Sequence, residues 1–436
     1  MKMRMTSQDR DTALACNISW SSPAAALFLL MLSTLFVMAA SSAQAQTFQV
    51  LHAFTGGGDD GFPLAGLTVD AAGSFYGTTS GSGAGGGSNG SVFQLTPSGS
   101  DWLLKPLRNF GRSGNGPASP RAKVTIGPDG ALYGTTYEGG VTGNGTVFKL
   151  QPPTHACGSF SCPWTMTVLH EFSGSDGAGP YGEVVFDHAG NLYGTTSFGG
   201  LYNCGDFSCG VVYELSPAGS GWTETVIHSF SGSPDGSVPS GGLIFDAAGN
   251  LYGVTWMGGG YYSNGGVLYK LSPSQGGVWT ETILHTFGND GNDGAMPIGT
   301  LIMDGSGNLY GTTETGGSDN GGTAYQLSQG GQYQALYNFP ANSQPEDSLI
   351  FDSSGNLYGT TSTGGVNGFG TVFKLAPSHG SWIESDLHVF QASDGELPFA
   401  GIVLDSAGDL YGTAEVGGHF SGVCSGGCGT VWRITP

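Results

Sequence analysis

Positive charge is scarce in this chain: 12 Lys and Arg stand against 33 Asp and Glu in 436 residues. A surface of that sign repels phosphate backbones and anionic headgroups, which excludes nucleic acid and leaves cations or neutral polymers as partners. Charge of either sign is thin, at 10% of residues against about 25% in an average protein. Helical periodicity is missing beyond residue 45, which excludes a helical or mixed α/β core. Long apolar runs are confined to residues 24–40. Lys2, Arg4 and Arg10 precede that run and Ala43-Gln44-Ala45 follows it. This is the pattern of a secretory signal over residues 1–45, cleaved before Gln46. No membrane span is expected once it is gone, and no hydrophobic tail precedes Pro436. The expected address is extracellular, or the cell envelope and periplasm. Cleavage leaves nine basic and 31 acidic residues, a net charge of −22.

What the chain has instead is glycine beside aromatics: 80 Gly, 24 Phe, 17 Tyr and 8 Trp. Disordered chains lack such aromatic content, so this mixture predicts many short strands joined by tight turns. One phrase, Asn-Leu-Tyr-Gly-Thr-Thr or a close variant, recurs around Tyr76, Tyr133, Tyr193, Tyr252, Tyr310, Tyr358 and Tyr411. The spacings are 57, 60, 59, 58, 48 and 53 residues, the length of one propeller blade.

Each copy divides into four strand-like pieces. Piece A is Leu-x-x-Asp, B is Leu-Tyr-Gly, C is Thr-Val-Phe-Lys-Leu and D is Val-Leu-His-x-Phe. An Asp-x-x-Gly turn joins A to B in six copies, while the second copy reads Gly127-Pro128-Asp129-Gly130. Four strands in each of seven copies predict an all-β, seven-bladed β-propeller of antiparallel blades, a single domain over residues 46–436. The Gly inside each Tyr-Gly-Thr strand predicts a close approach of backbone. The chain after residue 45 opens with a D piece, residues 48–54, and closes with a C piece, residues 430–434. The strand at 47–54 is therefore expected to complete the last blade and shut the ring. An open solenoid would need no such complement.

These phrases, Asn-Leu-Tyr-Gly-Thr-Thr and then Gly-Thr-Val-Phe-Lys-Leu, resemble the GloVer tandem repeat over nearly all of residues 47–436. That family comprises secreted bacterial proteins, some with C-terminal sorting or anchoring signals. The resemblance implies architecture and secretion, and it brings no reaction or ligand. The strand order also resembles NHL-type propeller repeats, more weakly.

Six cysteines beyond residue 45 form three local pairs, Cys157/Cys162, Cys204/Cys209 and Cys424/Cys428. An even count in a secreted chain predicts three disulfides, and the spacing does not suit zinc. His52, His170, His228, His285 and His388 share one D-strand position, with Arg108 and Tyr337 in the other two copies. D strands lie on a propeller's outer rim, so these histidines are expected to be scaffold. Asp60, Asp176, Asp235, Asp293 and Asp394 each precede Gly in the D–A connections. Their carboxylates suit calcium, the one cofactor considered, although an Asp before Gly is chiefly a turn former.

The D–A and B–C loops of a propeller share one face. There the sequence places Tyr137, Glu138, Phe198, Trp256, Tyr261, Tyr262, Glu314, Phe369, Glu415 and His419 as candidate ligand contacts. Aromatics on a rigid scaffold suit carbohydrate or peptide. Glu138, Glu314 and Glu415, at the ends of B strands, are candidates to approach the channel. Gly86-Gly87-Ser88-Asn89-Gly90 matches a nucleophile elbow in letters, but no helix follows it. No catalytic residues are assigned. The expectation is a monomeric, secreted, non-enzymatic binding propeller for extracellular carbohydrate or a cell-surface protein. The alternatives are a polysaccharide lyase or hydrolase using channel carboxylates, with or without calcium, and a purely structural envelope protein.

Overall fold

The computed structural model describes residues 46–81, 88–111, 115–153, 164–205, 207–260, 265–288, 293–420 and 423–436. Every regular element among them is a strand, and each copy of the repeat forms one antiparallel sheet in the order A-B-C-D. Seven sheets stand in a ring, a seven-bladed β-propeller. Blade 3 is representative, with A at Val185–Phe186, B at Leu192–Thr196, C at Val211–Ala218 and D at Gly221–Ser229. Strand A is only two residues long in six blades, shorter than its sequence pattern suggests, because the seven chains converge at the axis.

The ring closes as expected. Thr47–Ala53 pairs antiparallel with Thr430–Thr435, with Phe48 opposite Ile434 and Val50 opposite Trp432. The register shifts between Val50 and His52, as it does before the histidine in the other D strands. The closing strand is thus an ordinary D strand supplied from the other end of the chain.

The repeat residues explain the joints. In B, the Thr directly after Tyr-Gly straps its blade to the backbone leading into the next A strand. Thr195 donates to the Gly241 carbonyl at 2.9 Å and Thr360 to Ala400 at 3.1 Å. Across the seam, Thr413 donates to Ala65 at 2.9 Å, so blades 7 and 1 meet by the same bond. Tyr133, Tyr193 and Tyr310 meet a phenylalanine of the next blade's A strand edge-on, as Tyr133 does on Phe186 (4.8 Å between centroids, 84°).

Each repeat tyrosine also donates its hydroxyl to the Asp of its own A–B turn, at 3.0 Å for Tyr76, Tyr252, Tyr358 and Tyr411. In the odd second copy, Tyr133 takes Asp129 instead, at 3.1 Å. The carboxylate has moved two places along the turn and kept its partner.

One expectation needs refining. What approaches the Gly of Tyr-Gly-Thr is a strand-C ring rather than backbone: a Cβ on Gly134 would lie 2.7 Å from Cζ of Phe148. Disulfides join Cys204 to Cys209 and Cys424 to Cys428, while Cys157 and Cys162 lie outside the described residues. Among the described residues no helix is long and apolar enough to cross a membrane.

Candidate functional site

Each D–A connection runs back along the end of strand B. Isolated bridges record this at Ala118–Glu138, Ala178–Phe198, Pro345–Thr361 and Glu396–Val416. A proline, at 63, 120, 180, 239, 297, 345 and 398, precedes a single residue at the axial mouth. The seven residues at that position are Leu64, Arg121, Tyr181, Ser240, Ile298, Glu346 and Phe399, one per blade, and all line the axial opening. A proline holds φ near −65°, so this residue leaves each blade in the same direction whatever its chemistry.

Below the mouth the axis is nearly filled, with about 50 Å³ left open. Glycines bring neighbouring blades together there: a Cβ on Gly182 would run into the backbone of Gly241. Three ionisable groups occupy the constriction. Lys123 Nζ lies 3.1 Å from Glu183 Oε1, which also accepts from Thr300 Oγ1 at 2.8 Å. Asp347 accepts from Ser348 Oγ at 2.8 Å and from the Gly401 amide at 2.6 Å. Glu183 is held below the usual carboxylate range, because Lys123 and Thr300 outweigh its burial. Asp347 is raised by burial and by facing Glu183. This cluster brings together groups from blades 2, 3, 5, 6 and 7.

The wider pocket lies on the face above, about 260 Å³ in volume. Two kinds of position build it. The residues after proline contribute Arg121, Tyr181, Ser240 and Ile298, and the ends of strands B contribute Tyr137, Ser197, Phe198, Trp256 and Glu314. The Arg121 guanidinium sits 4.0 Å over the Tyr137 ring and 5.9 Å from that of Tyr181. Trp256 donates its indole N–H to Glu314 Oε2 at 2.8 Å. Glu346, beside this pocket, accepts from Ser362 Oγ at 3.0 Å. Burial, then the nearby Glu314, push its carboxyl up to about 7.

The candidate residues named from sequence therefore separate. Tyr137, Phe198, Trp256 and Glu314 line one pocket. Glu415 is raised by burial against the pull of Arg121, which places it by the same mouth. Glu138 is one residue further along its strand than Glu314 and Glu415 are along theirs. Side chains alternate along a strand, and Glu138 is exposed, with Ser119 Oγ at 3.5 Å. Phe369 packs into the core between blades 6 and 7, and His419 is an exposed loop residue away from the pocket lining. Tyr261 and Tyr262 lie outside the described residues. Arg121, Tyr181 and Glu346 were not singled out, although the signal was present: the residue after each proline differs from copy to copy while its flanks repeat.

The loop aspartates meet the rim histidines. His170 Nε2 lies 3.1 Å from Asp176, His228 3.1 Å from Asp235, His285 2.9 Å from Asp293 and His388 3.3 Å from Asp394. In the seventh blade Asp59, and not Asp60, takes His52 at 3.1 Å. Asp60 is buried and accepts from Thr79 Oγ1 at 3.2 Å. Each pair bridges a D strand to the loop leading into the next blade, so the histidines do serve the scaffold.

Seven four-stranded blades, shut by one strand from each end of the described residues and pocketed on the upper face, define a β-propeller of the closed-ring class. The chain belongs to the Gloeobacter/Verrucomicrobia repeat family, whose model matches residues 32–264, 160–304 and 259–436. None of the curated proteins matches it. Among solved structures it is similar to the extracellular domain of a protein described as a hybrid two-component system from B. thetaiotaomicron, at 12% identity and a TM-score of 0.52. That match covers 88% of this chain and 39% of the other. It is also similar to an ancestral GH74 enzyme, at 11% identity and a TM-score of 0.52, covering 86% of this chain and 51% of that one. The chain thus spans about half or less of either relative. These likenesses concern the fold alone.

Proposed function

We propose that this propeller is a secreted binding module that takes an extracellular carbohydrate in the pocket at the axial mouth. The observation that carries this reading is the ring of residues after proline, constant in placement and different in chemistry in every blade. Sugars present apolar C–H faces to aromatic rings and hydroxyls to fixed polar groups. The pocket offers Trp256, Tyr137 and Phe198 for the first role, and Arg121 and Glu314 for the second. Two disulfides support an oxidising address. The test is a glycan array followed by calorimetry on the hits. Saturable binding that falls at least tenfold in both Trp256→Ala and Arg121→Ala supports the reading. An array without hits, or hits indifferent to both substitutions, overturns it.

A second reading, polysaccharide hydrolysis or lysis, draws on the Glu346 carboxyl. Raised to about 7 beside Glu314, it is suited to deliver a proton at neutral pH. Turnover in a polysaccharide screen, abolished by Glu346→Gln, would favour it over simple binding.

A further inference from the structure

The rim grooves between blades are not equivalent. In each groove the D-strand position that faces the preceding blade's histidine is occupied differently. It is Glu224 in blade 3, opposite Leu215, and Glu281 in blade 4, opposite Leu271. The same position holds Tyr333 in blade 5 and Phe48 in the closing strand. Where it is aromatic, the ring lies flat on the imidazole. Tyr333 stacks on His285 at 4.2 Å and 4°, and Phe48 on His388 at 3.6 Å and 5°. In blades 3 and 4 the glutamate brings a third ligand-bearing group to the histidine–aspartate pair.

Two grooves therefore gather one imidazole and two carboxylates, His170–Asp176–Glu224 and His228–Asp235–Glu281. In both, one ligand atom from each residue lies within 4.8 Å of the other two. In the second set, His228 Nε2 is 3.1 Å from Asp235 Oδ1 and 3.7 Å from Glu281 Oε1. Ligands about 2.0–2.1 Å from a tetrahedral zinc ion stand roughly 3.3 Å from one another, so these separations already suit a shared ion. In both sets the glutamate Oε1 is buried and accepts no hydrogen bond. An unpaired buried acceptor is costly, and here it faces another carboxylate. The groups on hand are one histidine and two acids, with no Lys or Arg paired to them among the described ion pairs.

We propose that each of these two grooves binds a divalent transition-metal ion of the zinc class, His170, Asp176 and Glu224 holding one and His228, Asp235 and Glu281 the other. An imidazole nitrogen with two carboxylates suits zinc or its first-row neighbours. Calcium requires six to eight oxygens, more than either groove supplies. A surface cleft lined by Ser231, Tyr202, His228 and Asp235 opens onto the second set and gives an ion a path in from solvent. Burial and the neighbouring aspartate push Glu224 up to about 7 and Glu281 up to about 9, as expected of carboxyls missing a positive partner. One ion in each groove would fix both joints of blade 3, which among the described residues has such a set on each side.

The test uses the untagged, full-length secreted chain, stripped with a chelator and titrated with zinc alone. Two equivalents are expected. Glu224→Gln and Glu281→Gln each remove one, and the double variant removes both, with affinity at each altered site falling at least about tenfold. Zinc raises the unfolding temperature of the wild-type chain and leaves that of the double variant unchanged. Glu384→Gln, in the groove where Tyr337 replaces histidine, leaves uptake at two. Uptake below one equivalent, or uptake unaffected by the double substitution, overturns the proposal. If the double variant does not fold, the single variants decide, each reading one equivalent or refuting it.

Discussion

The rim and the axial mouth are built from the same repeat, yet one keeps its residues and the other changes them. Five of seven rim grooves return the same histidine–aspartate pair. At the mouth, the residue after an unvarying proline is Leu, Arg, Tyr, Ser, Ile, Glu or Phe. A ring holds only if every joint holds, so joint residues repeat. A side chain projecting over the axis is not a repeated element of closure, although Ser240 donates to the Pro297 carbonyl of the next blade at 3.1 Å, and its chemistry is free to differ. Uniformity within the repeat marks where the fold is fastened, and variety marks where it leaves the chemistry open.

That contrast can be broken from either side. The largest effect is expected at the rim. His285→Ala takes the imidazole from an almost wholly buried Asp293 carboxylate and from the Tyr333 ring. It should cost about 3 kcal/mol of stability in urea unfolding. Phe48→Ala removes the stack on His388 and the contacts with Phe390 and Trp432 that seal the ring. A loss of about 2–3 kcal/mol is expected by the same measurement.

Glu346 is the mouth residue predicted to weigh on stability, through its charge. Its folded pKa is raised to about 7 from an ordinary 4.5, so the folded state holds a proton that the unfolded state has released. Its contribution is full below pH 4.5, declines as pH rises and is gone once pH passes 7. Glu346→Gln should therefore stabilise the protein by about 1–2 kcal/mol at pH 8 and leave it unchanged at pH 4. A gain of equal size at both pH values would refute the assignment. Trp256→Ala should move stability least, by about 1 kcal/mol or less, while lowering the proposed carbohydrate binding at least about tenfold. A larger loss would make Trp256 a joint residue and blur the contrast between rim and mouth.

Much of the ring is legible before any coordinates. Seven tyrosines at blade spacing count the sheets, and a D piece at one end with a C piece at the other announces the seam. Even the turns can be read, except that Asp129 does from a shifted position what Asp70 or Asp187 does elsewhere. The mouth is harder to see. Tyr181 and Arg121 look like ordinary loop residues, and only closure of the ring aims seven such residues at one axis. The rim pairs are hidden for another reason. His228 and Asp235 are seven residues apart, but their bond depends on how the chain turns between blades. Glu281 joins them from a strand 46 residues further on. Alternation separates Glu138 from Glu415, a one-place offset legible once each is counted from its strand's tyrosine.

The seam between Thr47–Ala53 and Thr430–Thr435 has a consequence for the life of the polypeptide. The first described strand pairs only with the last. Phe48 rests on His388 of the preceding blade, but its backbone partners come only with Thr430–Thr435. A prematurely terminated product would display that unsatisfied edge and a gap in the circle, both features that proteases and chaperones engage. Connectivity alone thus makes closure of the circle depend on Thr430–Thr435.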